Sequence, residues 1–311
     1  EAGGAGGAGG DGMKAEWTDL YKEYRTLSAA AGIAEVRLPS VEPIGKNDAL
    51  IVVDMQNDFL PEADAPKGGR FGVADGGEAS KVIVKLIDHF ASAEATVVAT
   101  RDYHPVDHCS FMTEGGPFPP HCIQGSEGSA FYPPIAEALV AAKKKHDNVH
   151  VVFKGFFEDI DSFGAFKYAA EEAPARLSNR GDAVSCSLSW TGAYRLKQSN
   201  IKDDINAPPD ILSITRKETL VDLLERCSAS GEGPARIFVC GLALDFCVMD
   251  TARNAKGAGM GDVIIVEDAA RAAHIPGFGT HGTGFLSDPK ECVAKYKEKG
   301  VGLCQSDQLL A

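Results

Sequence analysis

The sequence predicts an α/β fold: a single three-layer α/β/α domain in which helices cover both faces of a mostly parallel sheet of about six strands. Short apolar, β-branched runs indicate the strands, at residues 49–53, 96–100, 149–153, 237–240, 263–266 and, more weakly, 301–304. Amphipathic stretches separate these runs, at about 79–92, 135–145, 245–258 and 288–298. Continuous apolar strands that alternate with amphipathic helices are typical of a parallel sheet buried on both sides.

Residues 1–40 are predicted to form a flexible Gly-rich arm that contains one helix, and residues 41–311 the α/β domain. The first 12 residues are Gly/Ala repeats that cannot build a core, whereas apolar positions recur at helical spacing over 17–27. A polar, irregular segment at about 168–216 is too long for a simple connection. It is therefore predicted to be an insertion, and we assign it no chemistry.

The composition limits the partners of the protein. Of 311 residues, 44% are hydrophobic and 24% charged, as in ordinary globular proteins, and the net charge is −13. An acidic surface disfavours nucleic acid and anionic membranes as partners. No apolar run approaches the roughly 18 residues that span a bilayer. The eight cysteines form no C-x-x-C pair, which favours free thiols and a cytoplasmic location. A homo-oligomer remains possible.

Three residues that could act together follow the ends of predicted strands. Asp54, Lys154 and Cys247 would meet at one edge, because parallel strands end on the same side of a sheet. A helix start favours the thiolate, a carboxylate can take the thiol proton, and a lysine keeps that carboxylate ionised. Singly, each residue has an ordinary explanation as a turn former, a buried thiol or a strand-end cation. Their combination favours a catalytic set.

A second group of polar residues follows the second predicted strand. Three of the eight histidines lie within residues 104–121, close to Asp102. Asp102, His104 and His121, with His108 as the candidate fourth member, form a carboxylate–imidazole set suited to one divalent metal ion such as Zn, Mn or Fe. The alternative is a polar loop whose histidines hydrogen-bond locally. The clustering favours the metal.

Taken together, the motifs resemble a known family. The runs IVVDMQNDFLP, RDYHPVDHCSF, PPHC, VVFKG and GLALDFCVMDTA occur in this order. They are similar to motifs of the nicotinamidases (pyrazinamidases), which belong to the isochorismatase-like cysteine hydrolases. The resemblance covers roughly residues 47–168 and 217–306 and leaves out the arm and the predicted insertion.

This resemblance implies roles for individual residues. It implies a catalytic triad of Asp54, Lys154 and Cys247, and a metal site at Asp102, His104 and His121 with His108 as the candidate for a further ligand. It also implies a cis peptide bond at Leu242–Ala243, which would direct the amides of Ala243 and Cys247 at a reaction oxyanion. The aromatic pocket walls would be Phe59 and Phe118.

Two positions depart from the pattern of the family. Phe118 stands where relatives often carry Trp, and Leu244 where many carry Thr. The first change alters ring stacking in the pocket, and the second removes a hydroxyl group near the predicted cis peptide.

The implied activity is the metal-dependent hydrolysis of nicotinamide to nicotinate and ammonia in NAD salvage, through a thioester on Cys247. The partner would be a small-molecule amide. Within the same fold, another small amide or an isochorismatase-type ether could be the substrate, although the metal set argues against the ether. A non-catalytic metal- or ligand-binding protein would not need an activated thiol. An interaction scaffold built on the insertion would leave the strand-end residues unexplained.

Overall fold

The computed structural model describes residues 18–169, 192–211, 218–228, 230–274 and 284–310. The Gly/Ala repeats of the predicted arm lie outside the described residues. So do positions 170–191 and 212–216 of the predicted insertion.

The described residues form one eight-stranded sheet with the order β5-β4-β3-β2-β1-β6-β7-β8. The strands are β1 (Asp48–Val53), β2 (Thr96–Asp102), β3 (Val149–Lys154), β4 (Tyr194–Arg195), β5 (Glu218–Thr219), β6 (Arg236–Leu242), β7 (Asp262–Arg271) and β8 (Gly302–Cys304). Along the run β3-β2-β1-β6-β7-β8, every pair of neighbouring strands is parallel, which confirms the predicted sheet. The two additional strands, β4 and β5, pair antiparallel at one edge. With two residues each, they are too short to show a periodic pattern.

Within the described part of the chain, six helices cover the sheet: α1 (Asp19–Ala30), α2 (Gly76–Ser92), α3 (Pro133–Lys145), α4 (Leu220–Cys227), α5 (Met249–Gly257) and α6 (Pro289–Lys299). Alternate residues of β1 face opposite sides. Leu50 and Val52 pack with α2 and α3, whereas Ile51 and Val53 pack with α1, α4, α5 and α6. Both faces of the central strand are therefore buried, which explains its unbroken apolar sequence and confirms the three-layer fold.

Helix α1 packs on the body of the domain. Tyr21 and Tyr24 are buried, the Tyr21 hydroxyl donates to the Glu267 carbonyl oxygen at 3.1 Å, and the Tyr24 ring meets Phe285 edge-on. The division into an arm and a domain at residue 40 stays a prediction. Across the described residues, every helix is too short or too polar to cross a bilayer.

Candidate active site

The strand-end residues converge at the carboxyl edge of the sheet. Asp54 follows β1, while Asp102 and Lys154 end β2 and β3 and pair in register. The Lys154 Nζ atom lies 2.9 Å from Asp54 Oδ2 and 3.8 Å from Cys247 Sγ, and it also contacts Asp102 Oδ1. One buried ammonium group thus bridges two carboxylates and a thiol, at the edge where the sequence predicts a crevice.

Cys247 lies on a π-helical turn, Leu244–Val248, that connects β6 to α5. The peptide bond between Leu242 and Ala243 is cis, as the family resemblance implies. Ala243 and Cys247 both line the same cavity. Both residues therefore border the space beside the thiol.

Burial and charge set the protonation states of this group. Burial raises the pKa of Asp54 to about 6, although Lys154 opposes the shift. Burial would lower the pKa of Lys154, but the carboxylates of Asp102 and Asp54 outweigh it and raise that pKa. Burial also raises the pKa of Cys247 above its usual range. The thiol is therefore protonated at rest, because its desolvation outweighs the stabilisation of the thiolate by nearby charge. The position at the start of a helix had led us to expect the thiolate.

Asp102, His104 and His121 are buried, and one donor atom of each lies within 4.8 Å of the others. The His104 Nδ1 atom is 2.8 Å from the Gly155 carbonyl oxygen, and the His121 Nδ1 atom is 2.7 Å from that of Pro119. Since a carbonyl oxygen only accepts, both Nδ1 atoms donate, and each ring in its neutral form has a lone pair on Nε2. Such backbone contacts orient histidines that bind metals in other proteins.

The protonation states of these residues also fit a divalent cation. Burial, together with the charge of His104, lowers the pKa of His121 to about 4, so this imidazole is neutral at pH 7. Burial opposes ionisation of Asp102, but Lys154 and His104 keep its pKa below the usual range. Burial would lower the pKa of His104, but the Asp102 carboxylate outweighs it and raises that pKa, so a cation that binds there would take the place of the proton on this ring. The donor set therefore fits a divalent metal ion.

His108 has different surroundings. Its ring stacks on His104 with centroids 4.1 Å apart, Nδ1 lies 2.7 Å from Ser110 Oγ, and Nε2 lies 3.0 Å from the Ile160 carbonyl oxygen. The Nε2 atom donates to that carbonyl, so only Nδ1 has a lone pair, and it is directed at a hydroxyl. Its role as a fourth ligand stays a prediction.

Asp161 is a member of the site that sequence reasoning missed. It is buried, lines the cavity and forms a second possible metal-binding group with His104 and His108. Asp161 lies in the loop after β3, and no spacing rule connects such a loop to the histidines after β2.

Gly155 lets this loop pass close to the histidine pair. It has a φ of +59°, and a Cβ atom at this position would lie 2.4 Å from Cε1 of His104. The close approach brings the Gly155 carbonyl oxygen within hydrogen-bonding distance of the His104 ring. A side chain at this position would displace the imidazole.

Aromatic rings enclose the cavity. Phe59 and Phe118 line it, together with Phe71, Phe163 and Phe246, which the sequence analysis did not single out. The five rings meet edge to face in the order Phe59, Phe71, Phe118, Phe163 and Phe246, with neighbouring centroids 6.3, 5.8, 5.9 and 5.5 Å apart. This wall fits a flat, apolar ring.

Comparisons with known proteins agree with this geometry. Residues 48–151 match the isochorismatase domain. Over this segment the chain is therefore similar to isochorismatase-like hydrolases. A nicotinamidase of Acinetobacter baylyi is 26% identical over 74% of this chain and 84% of its own length. A nicotinamidase of Escherichia coli is 33% identical over 38% of this chain, and the match covers 56% of the relative.

A solved structure extends the similarity over most of the hydrolase chain. PnC1 from L. infantum, in complex with nicotinate, has 28% sequence identity and a TM-score of 0.55. The match covers 87% of this chain and 98% of the L. infantum chain. Domain and relatives together identify this hydrolase as one that acts on amides.

Proposed function

We propose that the hydrolase converts nicotinamide to nicotinate and ammonia, as a step of NAD salvage, with Cys247 as the nucleophile. The observation that carries the proposal is the position of the Lys154 ammonium group, between Asp54, Asp102 and the Cys247 thiol. The cavity beside this group has an aromatic wall and a metal-binding set. The names of the relatives support nicotinamide as the substrate.

In the first half of the reaction, Asp54 accepts the thiol proton, and Cys247 Sγ attacks the carboxamide carbon. The amides of Ala243 and Cys247 donate to the oxyanion, and one such donor typically contributes about 3 kcal/mol. The C–N bond then breaks, and Asp54 returns its proton to the leaving ammonia. A thioester of Cys247 and nicotinate remains.

In the second half, Asp54 takes a proton from the water that attacks the thioester, and the C–S bond breaks. Asp54 then returns the proton to the sulfur, and the released nicotinic acid ionises to nicotinate. Lys154 favours the ionised form of Asp54, the form that accepts a proton at the start of each half of the reaction. A divalent ion on Asp102, His104 and His121 would hold the ring nitrogen of the substrate and so orient the amide towards the thiol. Orientation of this kind can lower a barrier by several kcal/mol, up to about 7–11 in model reactions.

Ammonia release from nicotinamide by the purified, reduced protein tests the proposal. We expect release that stops after chelation and returns with Zn, Mn or Fe. Nicotinate formed in the same sample serves as the matched second product. If the metal-loaded protein releases no ammonia from nicotinamide but hydrolyses another small amide, then the substrate assignment is wrong while the amidohydrolase assignment stands.

The rate should also depend on pH through Asp54. This residue must be ionised to accept the thiol proton, and its pKa is about 6, so kcat/KM should fall as pH decreases through about 6. Well below this pKa the loss approaches tenfold per pH unit. Initial rates from about pH 5 to about pH 8 measure the profile, with circular dichroism as the control for folding. A flat profile would exclude Asp54 as the base.

A further inference from the structure

The two loops that carry the metal-binding histidines are joined at Cys122, the residue after His121. The Cys122 carbonyl oxygen accepts from the His104 backbone amide at 3.0 Å, and the Gln124 amide donates to the His104 carbonyl oxygen at 2.8 Å. Cys122 has a φ of +48°, a left-handed conformation that non-glycine residues seldom adopt. Its backbone therefore needs external contacts to hold the position of both histidines.

Asp58 supplies such a contact. Its Oδ2 atom accepts from the Cys122 backbone amide at 2.7 Å, and its side chain is buried, with 4% exposure. The Asp58 backbone amide donates to the Gly128 carbonyl oxygen at 3.1 Å. A Cβ atom on Gly128 would lie 2.0 Å from Asp58 Oδ2, so the absence of a side chain there gives the carboxylate room.

We infer that Asp58 is a positioning residue for the metal, acting through the backbone of Cys122; the inference rests on the metal site proposed above. Asp58 lies in the short 3₁₀ turn Asn57–Phe59, just after β1 and Asp54. It thus ties the loops of His104 and His121 to the strand that carries the candidate base. Contacts behind the ligands fix ligand geometry, and their loss typically weakens metal binding by about 10–100-fold.

The first test compares Asp58→Ala with Asp48→Ala. Asp48 has the same 4% exposure but lies at the opposite end of β1, where it pairs with Arg236. Competition with a chromophoric chelator measures the dissociation constant for zinc. We expect Asp58→Ala to raise this constant about 10–100-fold and Asp48→Ala to leave it within about twofold.

Alkylation of Cys247 by iodoacetamide, followed by mass spectrometry in zinc-free protein, reports on the triad separately. We expect Asp58→Ala to keep the native alkylation rate, because no atom of Asp54, Lys154 or Cys247 is removed. An equal loss of zinc affinity in the Asp48 variant, or a parallel change in the alkylation rate, would assign Asp58 a general structural role and overturn the inference.

Gly128→Ala approaches the same contact from the other side and removes no polar group. Its new methyl group should displace the Asp58 carboxylate from Cys122 and weaken zinc binding. This variant therefore tests the inference independently of whether Asp58→Ala folds. Native zinc affinity in Gly128→Ala, or in folded Asp58→Ala, would overturn this inference alone. If the unmodified protein binds no zinc, the proposed metal site fails together with the inference.

Discussion

Cys247→Ala is expected to lower kcat by about 10⁴-fold or more while leaving zinc affinity unchanged. Among the described residues that line the cavity, Cys247 alone offers a thiol or hydroxyl group as nucleophile. Its Sγ atom is not among the donors of the metal-binding groups. Removal of the sulfur should therefore abolish thioester formation and preserve the metal site. Ammonia release and chelator competition measure the two properties on the same preparation.

Cys240→Ala is the matched control. Cys240 is a fully buried cysteine on β6, the strand that leads to the catalytic turn, and its Sγ atom lies 3.7 Å from the Ile51 carbonyl oxygen. This variant should lose about 1 kcal/mol of stability and keep its kcat. If Cys247→Ala retained turnover, the nucleophile would have to be water or another residue.

The parallel sheet could be predicted because each long strand is buried on both faces, which gives an unbroken apolar run. The convergence of Asp54 and Lys154 followed from the same pattern, since residues after parallel strands meet at one edge. Their contact at 2.9 Å agrees with that reasoning. Asp102 ends the strand between theirs and so lies within reach of the same ammonium group.

The remaining parts of the site depend on loops, and local sequence does not specify their paths. Phe163 reaches the pocket because its loop is attached to α5: the Ala165 amide donates to Thr251 Oγ1 at 3.0 Å, and the Tyr168 hydroxyl donates to Asp250 at 2.6 Å. These contacts join residues more than 80 positions apart. The position of Phe246 could have been predicted, because this residue directly precedes Cys247 in the sequence.

Lys154→Met is expected to lower the free energy of unfolding by about 3–5 kcal/mol at neutral pH, as is usual when one partner of a buried ion pair is removed. The Lys154 side chain is fully buried and contacts both Asp54 and Asp102. Methionine fills a similar volume without charge, so two carboxylates would face each other without a cation. Urea unfolding of the metal-free protein measures the loss, and turnover should disappear with it.

The pH dependence of this loss separates charge from packing. Without Lys154, the pKa of Asp54 should rise above its present value of about 6, because the ammonium group that lowers it is gone. When the pKa of an acid is higher in the folded state than in the unfolded state, protonation of the acid stabilises the folded protein. The difference in unfolding free energy between the variant and wild type should therefore shrink as pH falls from about 8 towards about 6. Zinc bound at Asp102 should recover part of the loss as well, since it restores positive charge.

Arg236→Met provides the comparison for an ion pair at the other end of β1. Arg236 pairs with Asp48 at 2.6 Å, but its side chain is 19% exposed, so water can solvate the carboxylate that remains. We expect a loss of about 1 kcal/mol with little change between about pH 6 and about pH 8. Lys154→Met could instead lose as little unfolding free energy as Arg236→Met, or lose an amount that does not change with pH or zinc. Either result would mean that Asp54 and Asp102 of the unmodified protein share a proton and do not depend on the charge of Lys154. In that case Asp54 would not be ionised at neutral pH, and its assignment as the base would fail independently of any measurement of turnover.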